Sequence, residues 1–185
     1  MNANAFIKVD KATFYRFIVN APENERYEFV RGRIMQQQQG GTLRHAQIGK
    51  RFVVVLDQLL DRARWLVSGP DRGIDTGPTV RYADAVTEPV GADPDSISTK
   101  MPVVIVEVLS KFSEDRDLDV KPAEYLALAS LEAYVVASQI EPACYLWVRG
   151  PDRQFPSDPV SLRGMDKTID IASLSLSIPL SDIYR

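Results

Sequence analysis

The sequence predicts an α/β (α+β) fold with a mixed central sheet flanked by helices, and three features predict it. Residues 45–62 carry Ile48, Phe52, Val55, Leu56, Leu59 and Leu60 at the three-and-four spacing of an amphipathic helix. Residues 103–109 are apolar on both faces, with Val103, Ile105 and Leu109 on one and Val104, Val106 and Val108 on the other. That is the pattern of a strand covered on both sides. Shorter alternating runs, punctuated by Gly and Pro, surround these two and read as further strands and turns.

The other elements follow in order. Asp10 caps a short helix to Val19, with Phe14, Phe17 and Ile18 on one face. Tyr27 to Met35 reads as a hairpin turning on Arg31-Gly32, where Gly supplies a positive φ. Gln36 to Gln39 form a polar tract, and Thr42 is the expected cap of the long helix. Residues 65–67 and 73–80 are expected short strands, 81–86 an extended segment carrying Asp84, and 88–100 a polar loop. Beyond the central strand, 110–119 is polar and acidic, and a helix starts near Pro122 and runs to about Ser130. Two strands, 132–137 and 144–148, precede short edge strands and a docked tail ending in Ile183-Tyr184.

A chain of 185 residues fits one domain, 1–185, with its core at about 25–150. The formal net charge of −3 gives no global nucleic-acid signature, although a local basic patch remains open. Cys144 is the only cysteine, which excludes an intramolecular disulfide and a cysteine-based zinc site. The opening MNANAFIKVDKATF lacks the apolar core of a signal peptide, and no apolar run is long enough to span a membrane. The expectation is a cytoplasmic protein with no membrane partner.

Glu107 is the residue that asks for chemistry. It lies inside the central apolar strand, where an isolated carboxylate is costly. Lys121 stands fourteen residues on, at a helix start where the dipole disfavours a cation. Asp84 lies on the preceding extended segment, within reach of Glu107 if the two strands are neighbours. Two carboxylates about 4 Å apart repel by roughly 4 kcal/mol at an effective dielectric of 20. A shared Mg2+ (or Mn2+) turns that repulsion into binding, and a lysine beside it can stabilise charge developing on phosphorus. The alternative is structural: Asp84 ends a strand and Glu107 pairs with an arginine.

These pieces resemble a known family. Tyr27-Glu-Phe-Val-Arg-Gly32, His45 opening a helix, Arg81-Tyr-Ala-Asp84, Val106-Glu-Val-Leu-Ser110, Asp117-x-x-x-Lys121-x-x-x-Tyr125, Glu132-Ala-Tyr134 and the tail from Leu176 to Tyr184 occur in its order. Together they resemble the Uma-type restriction endonuclease family, within the PD-(D/E)XK nuclease superfamily. The resemblance implies a restriction-endonuclease-like core with a four-stranded mixed sheet, and metal-dependent phosphodiester hydrolysis. It implies Asp84 and Glu107 as metal ligands, the Val108 carbonyl as a third, and Lys121 as the catalytic lysine. Glu28 matches a recurring acidic position that could hold the ion or its water, the alternative being an exposed hairpin charge. His45 is a candidate proton relay or phosphate contact, or simply structural. The sequence departs from the pattern at Ala83, Lys111 and Ser138, and Pro122 biases Lys121 away from helical dihedrals.

Between residues 26 and 64 eight Lys and Arg outnumber three Asp and Glu. Arg31, Arg33, Arg44 and Lys50 are the expected contacts to a DNA backbone, if this face is more than a solvated surface. The expectation is a magnesium-dependent DNA endonuclease acting as a homodimer. The alternative is a catalytically inactive nuclease-fold module that binds nucleic acid or protein, and a weaker one is a hydrolase of small phosphorylated substrates.

Overall fold

A computed structural model describes residues 8–22, 24–37, 41–109, 118 and 120–185. Its elements run α1 (Lys11–Val19), β1 (Tyr27–Val30), β2 (Arg33–Gln36), α2 (Leu43–Leu59), β3 (Trp65–Ser68), β4 (Gly73–Asp75) and β5 (Thr79–Tyr82). They continue with β6 (Ala85–Pro89), β7 (Ser98–Thr99), β8 (Val104–Val108), α3 (Lys121–Tyr125), β9 (Ala133–Ala137) and β10 (Ala143–Val148). Strands β11 (Val160–Arg163), β12 (Thr168–Ile171) and β13 (Leu176–Pro179) lead to α4 (Leu180–Tyr184). The polar segment 110–117, with Ser110, the departure Lys111 and Asp117 of the motif ending in Tyr125, lies outside the described residues, as do Gln38, Gln39 and Asp119.

The larger sheet has the order β11-β10-β9-β8-β6-β3 and the smaller one β2-β1-β5-β4-β7. Central β8 is antiparallel to β6 and parallel to β9, so the sheet is mixed, and it is wider than the four strands implied by the resemblance. On one face α2 packs Ile48, Phe52, Val55 and Leu56 with Val104, Val106 and Val108. The β12–β13 ribbon and α4 join that layer through Ile169, Ile178, Leu180 and Ile183. On the other face Ile105 meets Tyr125, Leu131, Tyr134 and Trp147. The all-apolar strand therefore has both its faces covered, as its sequence requires.

The caps behave as expected. Asp10 accepts from the Thr13 amide at 2.7 Å, and Thr42 from the His45 amide at 3.1 Å. In the β1–β2 turn both Arg31 (φ 50) and Gly32 (φ 88) are left-handed, the geometry that suits the twist of a two-residue hairpin.

Three expectations need correction. Residues 73–80 are not one strand but the hairpin β4–β5, reversed around Gly77 (φ 96) and Pro78, which has no amide proton to offer a ladder. The polar loop 88–100 contains β7, which pairs parallel with β4. The helix at Pro122 is a single five-residue turn ending at Tyr125, and Lys121 is already helical within it. The restriction imposed by Pro122 therefore falls short of expelling Lys121 from the helix.

Candidate active site at the junction of two sheets

Strand β5 belongs to the smaller sheet and β6 to the larger, so the chain changes sheets at Ala83-Asp84. The register pairs Ala85 with Val106, yet the Asp84 amide also donates to the Val106 carbonyl at 2.9 Å. Two residues thus oppose one, the count of a bulge, and a bulge re-aims the side chain it carries. Asp84 Oδ2 takes the place of a main-chain acceptor and receives the Val108 amide at 2.7 Å. Its carboxylate consequently sits on the peptide that follows Glu107. On its other side it faces α2: His45 Nε2 lies 3.6 Å from the same oxygen, and Gly49 brings the helix backbone close.

Glu107 is held from α3. Its Oε1 accepts from Lys121 Nζ at 2.6 Å and from the Tyr125 hydroxyl at 3.3 Å. The Glu107 and Lys121 side chains are only 6% and 7% exposed. Each charge thus removes the reason the other is unfavourable where it stands. Tyr125 is fully buried and packs edge-on against Tyr134, with ring centroids 5.3 Å apart. Burial first, then the Glu107 carboxylate, push its phenol well above the ordinary tyrosine value, so it remains a donor.

Glu28 is neither an exposed hairpin charge nor isolated. It is 2% exposed and accepts from Arg81 at 2.9 Å, across paired strands β1 and β5. Arg81 also donates to both oxygens of Glu124, at 2.8 and 3.1 Å, and the Thr79 hydroxyl donates to Glu124 at 3.1 Å. Burial alone would lower the Arg81 pKa, but Glu124 and Glu28 together hold it above the ordinary arginine value. Sequence reasoning missed Arg81 and Glu124. The signal was there: Arg81 sits between Val80 and Tyr82 in a buried strand, the situation that singled out Glu107.

Among the other candidates, Arg31, Arg33, Arg44 and Lys50 are exposed. Ala83 is buried beside Asp84 in the layer of Ile105 and Tyr125, and Ser138 caps the β9–β10 turn by accepting from the Ile140 amide.

Residues 12–179 match the Uma2 family, described as "Putative restriction endonuclease". The chain belongs to this family. No curated protein matches. A crystal structure titled as a putative nuclease belonging to DUF820, from Anabaena variabilis ATCC 29413, superposes with a TM-score of 0.71. The two are 12% identical, and the likeness covers 91% of this chain and 94% of that one. At that identity the match establishes a shared fold, the mixed α+β architecture of this nuclease-fold protein. Among the described residues, no helix of this Uma2 member is long and apolar enough to cross a membrane.

The residues that could serve a metal here are Asp84, Glu107 and the Val108 carbonyl, and their chemistry, hard oxygens, is the kind magnesium or manganese takes. Among the described residues no three His, Cys, Asp or Glu side chains form a metal-holding group. An ion here would keep much of its water, as magnesium commonly does.

Proposed function

We propose that this Uma2 protein is a metal-dependent DNA endonuclease, with Asp84, Glu107 and the Val108 carbonyl holding Mg2+ or Mn2+. The observation that carries the reading is the 2.6 Å contact of Lys121 Nζ with Glu107, one peptide away from the hydrogen bond between Val108 and Asp84. A bound divalent cation would polarise a phosphodiester oxygen and lower the pKa of a water on it. Lys121 supplies positive charge for the developing oxyanion. Tyr125 donates to Glu107 and keeps that carboxylate aimed, while Asp84 pins the Val108 peptide beside it. His45 stands on the far side of Asp84, where it can restrain the carboxylate or exchange a proton with it. Glu28 acts through Arg81 rather than on the ion itself. Arg31, Arg33, Arg44 and Lys50 are the proposed backbone contacts, and two copies acting together would address two strands.

A second reading, an inactive nuclease-fold module binding nucleic acid or protein, is favoured by a different observation. Glu107 is engaged by Lys121 and Tyr125, and Asp84 by the Val108 amide with His45 nearby, so each carboxylate has a structural partner without an ion.

Cleavage of supercoiled plasmid with magnesium, manganese or chelator separates the two, run beside Glu107→Ala and Lys121→Ala. A nuclease nicks only with metal and loses on the order of a hundredfold or more in either variant. Absence of nicking, with DNA retained in chelator and by Glu107→Ala, establishes the binding module instead.

A further inference from the structure

Helix α3 has little reason to exist on its own. Its α-helical part is only five residues, entered from π-helical residues 118 and 120, and Val120 at its start offers no capping side chain. Isolated helices of this length do not persist in water. Its position must come from what its side chains grip. Lys121, Glu124 and Tyr125 lie at the three-and-four spacing that puts them on one side of the turn, and all are buried. Lys121 and Tyr125 reach Glu107 in the larger sheet. Glu124 reaches the smaller one, through both its oxygens to Arg81 and through a third bond to Thr79. Arg81 is fixed from behind by Glu28.

We infer that Glu124 and Arg81 are positioning residues that aim Lys121 at Glu107, clamping the helix turn between the two sheets. The planar guanidinium against a carboxylate fixes orientation as well as distance, which a lysine in its place cannot do. Glu124 and Arg81 bond to each other, with Thr79 and Glu28 as their further partners, and their effect passes through the turn. The inference rests on the role proposed for Lys121, but its test does not require activity.

Lys121 is buried and bonded, so it should resist acylation by an amine-reactive ester followed by mass spectrometry, whereas exposed Lys50 reacts and serves as the internal reference. In Glu124→Gln, Lys121 should acylate about tenfold faster, as its local opening becomes easier, with Lys50 unchanged. Arg81→Lys, which keeps the charge and loses the fork, should do the same. Thr79→Val, the mildest change, should give a smaller rise and keeps the test usable if the first two fail to fold. In plasmid cleavage the same variants should lower kcat and leave KM nearly unchanged. Lys121 remaining as protected in the folded variants as in the unsubstituted protein would overturn the inference, whatever the cleavage assay shows. A rise in acylation without any nuclease activity would uphold the clamp and remove only the endonuclease reading.

Discussion

Lys121 Nζ donates to Glu107 Oε1 at 2.6 Å, joining a helix start to the middle of the central strand. Removing one member of such a buried pair strands the other without a partner, which typically costs about 3–5 kcal/mol. Lys121→Met and Glu107→Gln should each destabilise strongly in urea unfolding. The double variant should cost about 2 kcal/mol less than the two singles together. Simple additivity would show that the pair does not act as a unit.

Acid should loosen the clamp on α3 from the Glu124 side. Burial tends to raise the Glu124 pKa, but the hydrogen bonds and charge of Arg81, with Thr79, outweigh it and leave the carboxyl below its ordinary 4.5. The unfolded chain therefore takes up this proton first as pH falls. The stabilisation is complete above about 4.5 and is lost as pH drops through the lower folded value. Urea midpoints measured from neutral pH downward should fall less steeply for Glu124→Gln than for the unsubstituted protein.

Two glycines should respond oppositely to alanine. At Gly49 in α2 an added Cβ would lie 3.4 Å from the Asp84 Cβ, an ordinary contact, so the helix preference for alanine should prevail. Gly49→Ala should stabilise by about 0.5–1 kcal/mol. At Gly73 the new carbon would come within 3.0 Å of the Ile97 carbonyl oxygen and the Ser98 Cβ, and the β4–β7 pairing must give way. Thermal unfolding should separate the two clearly.

Cys144 should be silent in the folded protein. It is buried in β10, and burial pushes its thiol up to about 12. A thiol reagent at pH 8 should react at the rate of unfolding, and at once in denaturant. Rapid reaction without denaturant would mean that the α2 layer opens locally.

Periodicity alone located α1, the β1–β2 hairpin, α2 and β8, because each buries one face or both in a pattern the residues repeat. It failed at residues 73–80, where β-prone Val80 and Ile74 look continuous and only the Gly77-Pro78 pair marks the reversal. Glu107 and Lys121 were legible because each is unfavourable in its local element. The contact of Asp84 with the Val108 amide was not, since it depends on a bulge where the chain changes sheets, which no alternation announces. Arg81 and Glu124 lie far apart in the chain, and their meeting depends on how the smaller sheet sits against α3. No local pattern carries that information.

The parallel pairing of β8 with β9 and the antiparallel pairing with β6 also set an order of assembly. Hairpins such as β1–β2 and β9–β10 close from adjacent chain, whereas β8 must collect one neighbour from upstream and another from beyond α3. Such distant pairings are slow, because chain entropy is lost before contacts compensate. Burial of Glu107 and its meeting with Lys121 should therefore be completed in the same closing event, late in folding.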